Sequence, residues 1–267
     1  MKPSTQDRNP SARESCLASV AGSYREWQPV GPLASHLACT WLNALPESPP
    51  PPLQVIPDGC VDIIWTGQSL GVAGPDTEPI FESFPACTMI VGVRFLPGAA
   101  PPWLGVPASE IVNDRLPLQE FWGADARRLA ARLEETRDPR AAADLMLSAL
   151  VARLPRPGLF DPAARSVADA FARDEGGRVG VGDLTASLGL SERTLRRRCE
   201  SAFGYGPKTL ERILRFQRFL RLLRRPAAPA LAELAAASGF ADQAHLTREV
   251  RRLGGLTPAG FMAQLAA

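Results

Sequence analysis

Residues 183 to 199 and 233 to 251 are two versions of one pattern: a short apolar-striped helix, a glycine turn, and a second helix opened by a capping residue. In the first copy Leu184 and Leu188 share a helix face, Gly189 and Leu190 make the turn, and Ser191 caps a helix running through Leu195 and Cys199. In the second, Leu231, Leu234 and Ala235 form the stripe, Gly239-Phe240 turns, and Asp242 caps a helix carrying Leu246 and Val250. The glycines are 50 residues apart and Leu195 and Leu246 are 51 apart, so the second copy has one extra residue after its turn. Chance seldom repeats such an order. A helix-turn-helix unit places its second helix in a major groove, so the doubling points to DNA.

Thr209 to Arg225 joins the copies. Leu210, Ile213, Leu214, Phe216, Leu220 and Leu223 give it an apolar stripe, with Arg212, Arg215, Arg218, Arg221, Arg224 and Arg225 between them. At roughly 1.5 Å per residue the helix is about 25 Å long. With the width of its neighbours, that suffices to hold two recognition helices about 34 Å apart, one turn of duplex. The plainer alternative is that the stripes serve a three-helix core and the arginines are solvated. Charge follows the same division: residues 160–267 carry 17 Lys+Arg against 11 Asp+Glu, net +6, and residues 1–159 carry 13 against 17, net −4. A polyanion is expected at the carboxy-terminal half, with modest and salt-dependent non-specific affinity because the whole chain is only +2.

Upstream of residue 160 the texture changes to short β-rich runs. Tyr24 to Val30, Leu37 to Leu45, Leu53 to Ile56, Cys60 to Thr66, Leu70 to Ala73 and Thr88 to Phe95 read as strands, separated by turns such as Pro57-Asp58-Gly59 and Gly74-Pro75-Asp76. Six strands at this spacing imply a small barrel or sandwich. Asp125 to Glu135 and Pro139 to Leu154 have helical periodicity, and this pair either offers a dimer face or covers the barrel. Residues 155–162 read as a short linker, Pro49 to Pro52 as a stiff connection, and residues 1–20 as disordered.

Candidate pocket residues follow from the strands. Alternation puts Cys60, Asp62 and Ile64 on one face; Asp58, Trp65 and Arg94 lie on or beside strands. A buried Asp62 needs a partner, and Arg94 is the available cation, either as a structural ion pair or as a ligand contact. Most of Trp27, Trp41, Trp65, Trp103 and Trp122 are expected in the core. Cys16, Cys39, Cys60, Cys87 and Cys199 form no C-x-x-C pair, and His36 and His245 are the only histidines, so no metal site and no disulfide framework is expected. Cys60 reads as a small buried hydrophobe or a thiol sensor. No nucleophile elbow, P-loop or H-E-x-x-H is present, so no enzyme activity and no cofactor is expected. No apolar run reaches the ~18 residues of a membrane span and no signal-like segment opens the chain, which suggests a cytoplasmic protein. Arg outnumbers Lys 28 to 2, which with the Ala content suggests a GC-rich bacterial genome.

The stretches GDLTASLGLSERTLRRRCESAFGYGPKTLERILRFQR and LAELAAASGFADQAHLTREVRRLGGLTPAGF resemble the DNA-binding domain of the AraC/XylS transcription regulators. By that resemblance the base-facing positions are Arg193, Arg196 and Arg197 in the first unit and Gln243, Ala244, His245, Thr247 and Arg248 in the second. Arg forks onto guanine and Gln onto adenine, so the side chains suit the role. Arg198 is expected to point elsewhere. Ile56 to Trp65, Gly74 to Pro79 and Val91 to Ala100 resemble the cupin-like sensory domains of a group of such regulators. The implied fold is α+β: a cupin-like β-barrel or sandwich with following helices over 21–156, then an all-α double helix-turn-helix domain over 157–267. The resemblance implies double-stranded DNA, a small-molecule effector, RNA polymerase and a second copy as partners. Two other readings stay open: an effector-independent DNA-binding dimer, and a DNA-repair or alkyl-transfer enzyme with such a module, which would need an activated cysteine.

Overall fold

The computed structural model describes residues 22–174, 177–225 and 230–266; the stretch expected to be disordered lies outside them. Among the described residues the amino-terminal half contains eight strands, β1 (Ser23–Trp27), β2 (Leu37–Ala44), β3 (Leu53–Val55), β4 (Asp62–Trp65), β5 (Leu70–Ala73), β6 (Ile80–Glu82), β7 (Met89–Phe95) and β8 (Arg115–Pro117). Six form one antiparallel sheet in the order β1-β2-β7-β4-β5-β8, and β3 pairs with β6 as a separate ribbon. All six expected strands are present, with β1 stopping at Trp27, two residues before Pro29. β6 and β8, three residues each, have no alternating run to announce them.

Strand alternation gives the sheet two different faces. Ile63, Trp65, Val72, Val91, Val93 and Phe95 point to one side, under the helices α1 (Pro101–Leu104), α2 (Gln119–Trp122), α3 (Ala124–Glu134) and α4 (Pro139–Ala152), and pack with Trp103, Trp122, Leu129, Leu133, Met146 and Leu150. The inner stripe of α3 and α4 therefore covers the sheet. Cys39, Trp41, Leu53 and Ile90 make a smaller cluster on the other face. Gly92 lies opposite Trp41 across the β2–β7 pair, and a Cβ there would come within 2.1 Å of the indole. Only glycine leaves that ring its place.

The carboxy-terminal half is helical: α5 (Pro162–Arg173), α6 (Val181–Leu188), α7 (Glu192–Phe203), α8 (Pro207–Leu223), α9 (Leu231–Ser238), α10 (Gln243–Gly254) and α11 (Pro258–Ala266). Asp161 starts α5 inside the segment expected to be a linker; its carboxylate accepts from the Ala163 and Ala164 amides at 2.9 and 3.3 Å. The repeat is visible in the turns. Gly189 and Gly239 are both left-handed, with φ of 63° and 86°, and the next residue in each case donates back five positions, Leu190 to Thr185 at 3.1 Å and Phe240 to Ala235 at 2.8 Å. Ser191 and Asp242 cap the second helices, accepting from Thr194 N and His245 N. Both units share one core, in which Leu184, Leu195 and Cys199 of the first meet Leu234, Leu246 and Val250 of the second through Ile213, Phe216 and Phe219 of α8.

Three arginines of α8 are not the solvated charges that their spacing suggests. Arg218 is buried and donates to Ser238 O at 3.0 Å and Phe171 O at 2.9 Å, so one guanidinium serves carbonyls at the ends of α9 and α5. Arg212 forks onto Glu249 of α10 at 2.6 and 3.1 Å, and Arg215 pairs with Glu211 one turn back. The Arg212–Glu249 fork and the Arg218–Ser238 bond fix the second unit against α8.

The two halves dock closely. Phe203, at the end of α7, sits so near Gly98 that a Cβ there would come within 2.7 Å of its ring. Gln217 Nε2 donates to Pro57 O at 2.7 Å, Gln54 Nε2 to Gly254 O at 2.5 Å, and Arg165 Nη1 to Ser35 O at 2.9 Å. Both helix-turn-helix units therefore touch the sheet domain.

Candidate functional site

The second helix of each unit has an apolar back and a polar front. On α7, Leu195 and Cys199 are buried while Arg193, Arg196 and Arg197 are exposed. On α10, Leu246 and Val250 are buried, Gln243, Ala244 and Arg248 are exposed, and His245 and Thr247 are half-buried. Arg196 Nε donates to Glu200 Oε1 at 2.7 Å on the outer face. That carboxylate raises the Arg196 pKa, so the charge is fixed. An exposed pair of this kind contributes little to stability and opens readily. Arg198 turns away from the exposed arginines, as expected, and binds Asp161 Oδ1 at 3.1 Å, joining α7 to the cap of α5. His245 uses Nδ1 to accept from Ala241 N at 3.3 Å and stands edge-on to Phe240, and Thr247 donates to Gln243 O. Both side chains thus have local structural partners within the positions that the resemblance assigns to base reading.

A second site lies on the open face of the sheet. A cavity of about 140 Å³ is bounded by β2, β4 and β7 beneath, the β3–β6 ribbon above, the 56–60 loop, and Gln217 and Arg224 of the α8 region at one end. Asp58, Cys60, Asp62 and Arg94, singled out from the sequence, all line it. Trp65 does not. It is 4% exposed in the core beneath the helices, because it stands one position out of register from Asp62 and Ile64 and so faces the opposite side of the sheet.

Arg94 holds Asp62 by Nε–Oδ1 and Nη2–Oδ2 bonds of 3.0 Å each and reaches Asp58 at 3.2 Å, and Trp41 Nε1 donates to Asp62 Oδ2 at 3.0 Å. The Asp62–Arg94 ion pair expected from the sequence exists, and it forms a wall of the cavity. Burial pushes the Asp62 carboxyl up, against the pull of Arg94. Burial likewise opposes charge on Arg94, but Asp62 and Asp58 outweigh it and hold the guanidinium protonated. A second cluster repeats the arrangement: Arg115 binds Glu82 at 2.7 Å and Asp76 at 2.8 and 3.0 Å. Sequence alone does not reveal Arg115 and Glu82 as site residues because β6 and β8 carry no periodic signal, and it gives Asp76 only as part of a turn. It missed Gln217 and Arg224 because docking of two domains leaves no local pattern.

Burial raises the thiol pKa of Cys60 well above its ordinary value, so the thiolate that a redox sensor or alkyl acceptor needs is disfavoured. Among the described residues there is no cluster of His, Cys, Asp and Glu arranged to hold a metal ion, and no helix is long and apolar enough to cross a membrane.

Two helix-turn-helix units on one packed spine, with the polar faces of their second helices exposed beside a covered β-sheet domain, have the arrangement of a DNA-binding module. Residues 184–264 match a family model described as a helix-turn-helix domain, and residues 25–117 match one described as a domain of unknown function (DUF6597). No curated protein matches the chain. Among solved structures, the crystal structure of ToxT from Vibrio cholerae O395 is similar at 13% identity, covering 80% of this chain and 88% of that one, with a TM-score of 0.44. A 1.65 Å structure of ToxT from Vibrio cholerae is 12% identical over 85% of this chain and 98% of that one, with a TM-score of 0.45. So distant a likeness carries no argument about residues or ligands.

Proposed function

We propose that the chain reads a bipartite DNA site with Arg193, Arg196 and Arg197 in one major groove and Gln243, Ala244, His245, Thr247 and Arg248 in the next. A small effector in the sheet-domain cavity controls that reading. The observation that carries the proposal is the placement of α8: it is the spine between the recognition helices, and through Gln217 it also closes one end of the cavity. A ligand that fits one arrangement of α8 better than another shifts the DNA-competent population by that difference in affinity. The protein acts in the cytoplasm without enzymatic activity, on a promoter where RNA polymerase is its partner, and a second copy provides dimeric binding. The sheet domain, over 21–156, is the sensing unit, and 157–267 is the DNA-reading unit.

Selection from a pool of random duplexes tests the first half of this. The full chain is expected to enrich two short sequence blocks about 10 base pairs apart. The triple variant Arg193→Ala, Arg196→Ala, Arg197→Ala should lose one block and keep the other. Enrichment of a single undivided block, or loss of both blocks together, would contradict the assignment.

A further inference from the structure

The cavity's charge and size restrict what it can take. Its walls carry Asp58, Asp62, Asp76 and Glu82 against Arg94, Arg115 and Arg224, four carboxylates to three guanidinium groups, a formal −1. The two sheet arginines that line the cavity are already engaged: Arg94 by Asp62 and Asp58, Arg115 by Asp76 and Glu82. An anionic ligand would have to displace a carboxylate from one of them, or be desolvated beside four negative groups. A cation meets the reverse situation. Arg115 occupies only Oε1 of Glu82, and Asp58 gives one oxygen to the Cys60 amide and the other to Arg94, so both acids keep lone pairs for further donors. Beside the amides of Asn43, Gln54 and Gln217, much of the remaining wall is apolar or aromatic, with Trp41 and Phe84 among its rings, surfaces that attract a cation as well as a hydrocarbon. A cavity of about 140 Å³ is close to the ~150 Å³ void that accommodates benzene in another protein.

We infer that this cavity binds a small organic cation, an amine joined to an apolar group of about one aromatic ring, and that it discriminates against the corresponding carboxylic acid. The inference rests on the reading of the cavity as the effector site. It names the chemistry of the effector.

The test uses the full-length protein and three matched probes of one skeleton, phenethylamine, phenethyl alcohol and hydrocinnamate, each titrated to millimolar concentration in thermal-shift and calorimetric assays at neutral pH. Phenethylamine is expected to raise the melting temperature in a saturable way and to bind at least tenfold more tightly than either partner. Glu82→Gln and Asp58→Asn, both near-isosteric, should each weaken the amine severalfold and narrow its advantage over the alcohol. Two independent variants keep the test usable if one folds poorly. Hydrocinnamate binding as tightly as the amine, equal binding of amine and alcohol, or a flat response to all three would overturn the inference. DNA affinity measured alongside separates the two proposals: amine binding that leaves it unchanged would sink effector control while the cation site stands. A flat ligand response with intact bipartite DNA binding would sink the cation site alone.

Discussion

Replacing Arg218 by methionine tests whether the arginines of α8 hold the recognition helices in place or serve DNA. The guanidinium is buried and gives bonds of 3.0 and 2.9 Å to the carbonyls of Ser238 and Phe171, at the ends of α9 and α5. A hydrogen bond from a charged donor contributes about 1.5–3 kcal/mol, so loss of both removes roughly 3–6 kcal/mol. Methionine fills most of the volume and spares the desolvation of a buried charge, which returns part of it; the net loss should be about 2–4 kcal/mol. In urea, with a slope of about 2 kcal/mol/M, the helical transition should move down by roughly 1–2 M at unchanged slope. Arg221→Met on the same helix is the control: Arg221 is exposed, and its loss should cost no more than about 0.5 kcal/mol. The dependence of DNA affinity on salt should be the same for Arg218→Met and the parent under folding conditions, since a buried guanidinium releases no counterions. Equal midpoints for the two variants, or a salt slope reduced by about one unit in Arg218→Met, would refute this reasoning.

Three further outcomes are expected. Arg196→Ala should lose about 1–3 kcal/mol on the selected site and relax specificity at one base pair, measured by competition among single-base variants, whereas an equal loss on random DNA would reassign Arg196 to a phosphate. Gly92→Ala should cost about 1–3 kcal/mol in denaturant unfolding and disturb the Trp41–Asp62 bond, because its Cβ would meet the indole; unchanged stability and unchanged tryptophan fluorescence would show that the strand gives way. Burial raises the Cys39 thiol pKa and pushes that of Cys199 up to about 12, so iodoacetamide near neutral pH should modify the exposed Cys87 long before either, as read by peptide mass mapping. Early labelling of Cys199 would mean that the α7 core opens far more often than its packing implies.

Much of the helical half was legible because its signals are local. A glycine with positive φ, a capping Ser191 or Asp242 and a stripe of leucines each act within one turn, so the order of residues records them. The sheet was legible where strands are long enough to alternate, and alternation correctly grouped Cys60, Asp62 and Ile64 on the cavity face. The same rule, carried one residue further, excludes Trp65, which follows Ile64 and must face the helices. What stayed hidden depends on distant parts of the chain meeting. Arg218 has the same spacing as its solvated neighbours, and only the ends of α5 and α9 make it structural. Arg115 reads as a loop charge until β8 pairs with β5 and sets it beside Asp76 and Glu82.

The central claim is that α8 holds two recognition helices at a fixed separation, so that one chain reads two successive grooves on the same side of the duplex. Its most direct test is affinity for the selected site after the DNA between the two sequence blocks is lengthened by about half a turn, roughly 5 base pairs. The account predicts that affinity falls to that of a duplex carrying a single block, because the second helix then faces the wrong side. Undiminished affinity for the lengthened site would contradict it.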